Sequence, residues 1–278
     1  MSKFKLGLQL YTIRDEMEKD MDACLKKVKE MGYDCVEFAG FFGKSAEEVK
    51  AMLDKYGLEA VSSHQTVGIK DDEPLSPEDT VKYLNTLGVK YCAIPWYGKE
   101  NYVEDFDGTM EKFKKSSEIL KKGGIDLYYH NHDFEFDKID GETIHDKIFE
   151  TLGTDVIKPE IDVCWVHYAG YEPTEVMKKY AGKVNILHLK DFVCKNLGGG
   201  PVYALIDNSG KEGEKASRED NGFEFRPVGH GIQDMPKIID AAREFGIEYL
   251  IVEQDGHPNA SSMEDAKISI DYLKSLGL

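Results

Sequence analysis

The sequence predicts an α/β fold, a closed (β/α)8 TIM barrel, on three observations. Strand-like runs alternate with amphipathic helical segments about every thirty residues, there are eight such runs, and six helical patterns end on glycine. The strand candidates are residues 5–10, 35–39, 60–64, 91–95, 126–132, 157–162, 185–190 and 249–254, short runs bounded by polar breaks and most of them carrying β-branched or aromatic residues. Among the helix candidates, 21–31 puts Met21, Cys24, Leu25, Val28 and Met31 on one face and Lys26, Lys27, Lys29 and Glu30 on the other. Residues 45–56 open on Ser45 with Glu48 three positions on, the pattern of a capping box. Residues 76–87, 106–122, 174–180, 235–245 and 262–276 repeat the amphipathic design. Gly32, Gly57, Gly88, Gly124, Gly182 and Gly246 stand where a helix should stop before the next strand. A doubly wound open sheet shares the alternation, but it carries a phosphate-binding glycine loop after its first strand. Here Gln9-Leu10-Tyr11-Thr12 follows instead.

A chain of 278 residues suffices for a single barrel domain over 1–278. Its one irregular stretch, 192–233 after the seventh strand, contains Gly198-Gly199-Gly200-Pro201, Asn208-Ser209-Gly210 and a charged run over 211–220. That is too long for an ordinary connection, so a lid over the barrel mouth and a solvated insertion are the two expectations. Gly229-His230-Gly231 then leads into the seventh helix, with Asp234 as its N-cap and Pro236 in the first turn.

Composition narrows the function classes. Hydrophobic residues are 41% and charged residues 31%, a globular balance. The formal charge of −17 repels phosphate backbones and anionic lipid, so neither nucleic acid nor a membrane is an expected partner. Five scattered cysteines with no C-x-x-C pair fit a reducing compartment, and no signal-like or membrane-length apolar run is seen, so a cytoplasmic location is expected. There is no G-x-G-x-x-G after a strand and no P-loop.

Catalytic groups of such a barrel come from the C-terminal strand ends. Those ends offer Gln9, Glu37, His64, Trp96, His130, Asn131, His132, Asp162, His188, Lys190, Asp191, Glu253, Gln254 and Asp255, including four of the eight histidines. Asp162, His188 and Glu253 fall on three successive strands and form a hard or borderline donor set suited to one divalent metal, Mn²⁺, Mg²⁺, Co²⁺ or Zn²⁺. A buried carboxylate–histidine network is the alternative for the same residues. Two converging carboxylates repel without a cation, which favours the metal. Trp96, Tyr97 and Trp165 are candidate sugar-stacking faces, with core packing as the alternative. Lys190 either holds a substrate hydroxyl or pairs with Asp191.

GLQLYTIRD at the first strand, VEFAG at the second, YHNHDFEF at the fifth, EIDVCWVHYAG at the sixth, HLKDF at the seventh and VEQD at the eighth resemble the xylose-isomerase-like barrel superfamily. That superfamily includes ketose 3-epimerases, hydroxypyruvate isomerases, inosose dehydratases and metal-dependent abasic-site endonucleases, and the resemblance runs along essentially the whole chain. It implies one divalent metal held by a Glu on the fifth strand, an Asp on the sixth, a His on the seventh and a Glu on the eighth. The last three correspond to Asp162, His188 and Glu253. On the fifth strand the position falls at or near His130, so either His130 or Glu135 completes the shell. Glu253, His132 and Glu135 are then the acid/base candidates, and Gln9, Glu37, His64, Trp96 and Lys190 the substrate contacts.

The implied activity is that of a sugar isomerase or epimerase that removes a proton α to the carbonyl of a keto-sugar or cyclitol. Imidazole in place of the fifth-strand glutamate points towards one-face proton removal, so a dehydratase or lyase of the inosose dehydratase or glycoside-cleaving kind is the second expectation. An abasic-site endonuclease conflicts with the acidic charge, and a non-catalytic subunit of a hetero-oligomer is a further alternative. Related barrels self-associate through outer helices, so an oligomer is an allowed outcome.

Overall fold

The computed structural model describes residues 4–70, 73–198 and 221–278. Eight parallel strands close into a barrel: β1 (Lys5–Gln9), β2 (Cys35–Phe38), β3 (Glu59–His64), β4 (Tyr91–Ile94), β5 (Asp126–His130), β6 (Lys158–Asp162), β7 (Ile186–Leu189) and β8 (Tyr249–Val252). Each pairs with its sequence neighbour, and β1 closes on β8 with Lys5 opposite Tyr249 and Leu8 opposite Val252. All eight strand expectations coincide with these elements.

Around them run α1 (Met21–Met31), α2 (Ala46–Tyr56), α3 (Pro77–Leu87), α4 (Phe106–Lys122), α5 (Ile144–Leu152), α6 (Pro173–Lys179), α7 (Met235–Glu244) and α8 (Ser262–Ser275). Ser45 and Ser261 close full capping boxes with Glu48 and Glu264, as their spacing requires. Gly32 and Gly88 end their helices at φ +100° and +82°, a conformation open to glycine at little cost. The sequence pattern does not reveal α5. Its N-cap, Thr143, accepts from Asp146 N–H, but a small hairpin of Lys138–Ile139 against Glu142–Thr143 breaks the approach and hides the helical period.

The barrel interior is layered. Cys35, Val61, Ile186, Tyr249 and Ile251 make a buried apolar floor. A side chain at Gly7 would overlap Ile251, so the first strand crosses that layer with no side chain at all. Above the floor the interior turns polar. The register shifts between Val36 and Glu37 where β2 meets β3, an irregularity of the kind that re-aims a side chain.

After β7, Asp191–Val193 pairs antiparallel with Glu224–Arg226, so the described ends of the long insertion form a ribbon. It packs Phe192, Phe223 and Phe225 against Trp165 and Tyr168. The lid expectation covers 192–233, of which 199–220 lie outside the described residues. Among the described residues no helix is long and apolar enough to cross a membrane, and all five cysteines are free.

Candidate active site

Side chains at i and i+2 on a strand leave the same face, so the strand ends deliver polar groups to the barrel axis in pairs. Glu160 and Asp162 come from β6, His188 from β7 and Lys190 from just past its end, Glu253 and Asp255 from just past the end of β8, and His130 and His132 from the end of β5. Two sets of four converge, sharing His188: an outer set of His130, Asp162, His188 and Glu253, and an inner set of Glu37, His64, Glu160 and His188. The donor atoms within each set lie within 4.8 Å of one another.

The spacings of the two sets differ. In the outer set His130 Nε2 is 3.3 Å from Asp162 Oδ2 and 3.5 Å from Glu253 Oε2, while His188 Nδ1 is 3.1 Å from Glu253 Oε2. A cation with bonds of about 2.1 Å separates adjacent donors by about 3.0 Å in an octahedron and about 3.4 Å in a tetrahedron. The outer set has that spacing. In addition, both ring nitrogens of buried His130 lack a hydrogen bond. The inner set is contracted instead, with His188 Nε2 2.7 Å and His64 Nε2 3.0 Å from Glu37 Oε1, and His64 Nε2 2.8 Å from Glu160 Oε2. Those are hydrogen-bond distances. The residues of the outer set therefore fit a divalent cation, and the inner set, joined to it through His188, is an ion-pair network.

Electrostatics follow from burial. Burial penalises every charge here, yet the imidazoles of His64 and His188 hold the Glu37 carboxyl well below its usual range. Burial likewise opposes the charged form of His64, but Glu37 and Glu160 win and lift it to about 10. Glu160 moves up, through burial and the neighbouring Glu37. Against the same burial, Lys190 holds Asp162 and Glu253 down, its Nζ lying 3.1 Å from Asp162 Oδ2, 2.9 Å from Glu253 Oε2 and 3.1 Å from Asp255 Oδ2. Burial, and then His130, push His132 well below the usual imidazole range, so it is neutral at neutral pH.

A cavity of about 370 Å³ opens above the outer set, walled by Tyr11, Trp96, His130, His132, Lys190 and Glu253 among others. His64, Trp96 and Lys190 line it, where substrate contacts were expected. Gln9 and Glu37 do not: both are fully buried, bonded to one another at 2.6 Å, and lie beneath His188. Glu135 is not brought into the cluster either. Its Oε1 accepts from the Tyr129 hydroxyl at 2.6 Å and its Oε2 from the His132 main-chain N–H at 2.8 Å, so of the two fifth-strand candidates only His130 stands with Asp162, His188 and Glu253. Of the aromatic candidates, Trp96 faces the cavity, whereas Tyr97 packs on Tyr102 and Phe113 and Trp165 is buried against Phe223. Asp191 does not serve Lys190 but accepts main-chain N–H bonds from Phe192, Gly229, Gly231 and Gln233. Sequence reasoning missed Glu160, although it stands two residues before Asp162 and so on the same strand face.

A family model described as a xylose isomerase-like TIM barrel matches residues 25–276. Curated relatives from two species are named inosose dehydratase. That of Geobacillus kaustophilus is 24% identical over 61% of this chain, which spans 61% of its length, and that of Clostridium perfringens is 23% identical over 98% of this chain and 97% of its own. Among solved structures, a sugar phosphate isomerase/epimerase from Parabacteroides distasonis superposes with a TM-score of 0.76 at 23% identity over 98% of both chains. The IOLI protein, solved with a bound zinc atom, superposes at 0.68 and 17% identity over 98% of this chain and 97% of that one. At these identities the two structures show the shared fold.

Proposed function

Because the chain belongs to the xylose isomerase-like TIM barrel family, we propose that it is a divalent-metal-dependent enzyme that removes the proton α to the carbonyl of a keto-sugar or cyclitol. One observation carries this: a metal-spaced set of His130, Asp162, His188 and Glu253 at the floor of a cavity of about 370 Å³ that His132 and Trp96 also wall. Those four residues would hold one cation, Mn²⁺, Mg²⁺, Co²⁺ or Zn²⁺, and when bound it supplies a Lewis acid for the carbonyl oxygen and an adjacent hydroxyl. His132 or Glu253 takes the proton, Trp96 offers an apolar face to the ring, and the Lys190 ammonium, held by Asp162, Glu253 and Asp255, keeps the first two ionised.

The step after proton removal defines the reaction. Reprotonation at the same or the neighbouring carbon makes an epimerase or isomerase. Loss of a β-hydroxyl as water makes a dehydratase. The second course is favoured by imidazole at His130 in place of a second carboxylate base, and by the name inosose dehydratase carried by relatives. A small-molecule sugar or keto-sugar partner, in a protein free to self-associate, and a cytoplasmic setting complete the proposal, the latter supported by five free thiols.

Elemental analysis of protein purified without chelator, wild type against an Asp162→Ala, Glu253→Ala double variant, tests the metal. About one metal per chain, lost in the variant, is expected; no bound metal and no affinity for added metal overturns the proposal. Incubation with keto-inositols and keto-sugars in D2O then separates the courses. An unsaturated product marks the dehydratase, and deuterium in an otherwise intact sugar marks the isomerase or epimerase.

A further inference from the structure

The hydrogen bonds beneath the outer set run in one direction, and a main-chain amide sets it. The Tyr11 N–H donates to Gln9 Oε1 at 3.0 Å. An amide N–H has no acceptor role, so the Gln9 side chain is oriented with its NH2 group pointing onward. Gln9 Nε2 then donates to Glu37 Oε1 at 2.6 Å. That oxygen is an acceptor, and it also receives His188 Nε2 at 2.7 Å and His64 Nε2 at 3.0 Å. His188 Nε2 is therefore the nitrogen that carries the hydrogen. Nδ1 faces Glu253 Oε2 at 3.1 Å within the outer set, so a cation held there would take the Nδ1 lone pair while the Nε2–H stays on Glu37.

Burial makes this arrangement binding on the ring. Gln9, Glu37 and His188 have no exposed surface, so no solvent is at hand to replace a lost partner. The ring plane is held too, because His64 lies parallel to His188 at 11° with centroids 5.5 Å apart. A neutral ring with its hydrogen on Nδ1 would leave Glu37 Oε1 without the Nε2–H it accepts and deny a cation the Nδ1 lone pair.

We propose that Glu37, oriented by Gln9 and His64, is a positioning residue that fixes the tautomer and ring plane of His188 and so turns the outer set into a cation site. The inference rests on the reading of that set as a metal centre. Histidine ligands are commonly held in this way, a carboxylate on one ring nitrogen presenting the other to the metal. It also gives the glutamine of the first strand a task that the substrate-contact reading does not, since Gln9 never reaches the cavity.

The test compares wild type with Glu37→Gln, Gln9→Leu and His188→Ala, each checked for folding by circular dichroism. Zn²⁺ affinity is read by competition with a chromophoric chelator, and the His188 ring by ¹⁵N shifts in histidine-labelled protein. Glu37→Gln and Gln9→Leu are expected to weaken Zn²⁺ binding by about 10- to 100-fold. In the zinc-loaded wild type His188 should show a single Nε2–H form, and in the two variants a mixture. Should Glu37→Gln fail to fold, Gln9→Leu, which leaves the carboxylate in place, carries the test alone. Affinities within twofold of wild type in both variants, with binding lost in His188→Ala, overturn the inference and leave the metal reading standing. A wild type that binds no zinc overturns the metal reading itself and the inference with it.

Discussion

Glu135 lies three residues past His132, yet its carboxylate turns into the protein, fully buried between the Tyr129 hydroxyl and the His132 main-chain N–H. Burial pushes its carboxyl up to about 8, the two donors only partly offsetting it. A folded-state value above the unfolded one means that the folded protein binds the extra proton. The stability tied to Glu135 is then fully present below about pH 4.5 and is lost as pH rises through about 8. Urea unfolding of wild type and Glu135→Gln across pH 4 to 9 should show wild type losing stability relative to the variant up to about pH 8 and no further. Parallel pH profiles would show that Glu135 ionises normally. Because this carboxylate supports the main chain that carries His132, its substitution should also lower activity without abolishing metal binding.

At the scale of elements, the segment that follows the ribbon is organised by one buried side chain. Asp191 accepts N–H bonds from Phe192, Gly229, Gly231 and Gln233, and Gln233 in turn meets His167 Nδ1 at 2.7 Å. A methyl group at Gly231 would collide with the Asp191 carboxylate and the Phe192 carbonyl oxygen. Gly231→Ala should therefore cost about 1–3 kcal/mol in urea unfolding, a range typical of overpacking. Asp191 adjoins Lys190, so the same variant should raise KM for the substrate. A variant as stable as wild type would mean that the ribbon yields freely. The helix caps are independent of this: Ser261 and Glu264 satisfy one another at the start of α8, far along the chain from the Asp191 clamp.

For the whole molecule, barrel closure gathers Glu37, Glu160, Asp162, Glu253 and Asp255 around one axis within a chain already at −17. His64, His188 and Lys190 offset part of that charge, and a divalent cation at the outer set would offset more. A ligand that binds the folded state alone stabilises it by about 2.7 kcal/mol at a hundredfold excess over Kd. The Tm of metal-free protein should accordingly rise by several degrees with millimolar Mn²⁺ or Zn²⁺, and the Asp162→Ala, Glu253→Ala variant should not respond. Equal shifts in both proteins would place the cation elsewhere on the acidic surface.

Local pattern was enough to read the eight strands, most of the helices and their glycine ends, because the period of apolar residues and the chemistry of caps are properties of a few neighbouring residues. It was also enough to put Asp162, His188 and Glu253 at strand ends, since in this architecture the end of a strand is the site. What only the tertiary structure decided is which of these groups touch. His188 meets Glu37 across 151 residues of sequence and Glu253 across 65. Closure of the barrel sets those distances, and no local period encodes them. Closure draws Glu160 into the inner network, turns Glu135 towards Tyr129 and leaves His130 with the outer set. It also buries Gln9 and Glu37 against one another and against His188, away from the cavity that His64, Trp96 and Lys190 line.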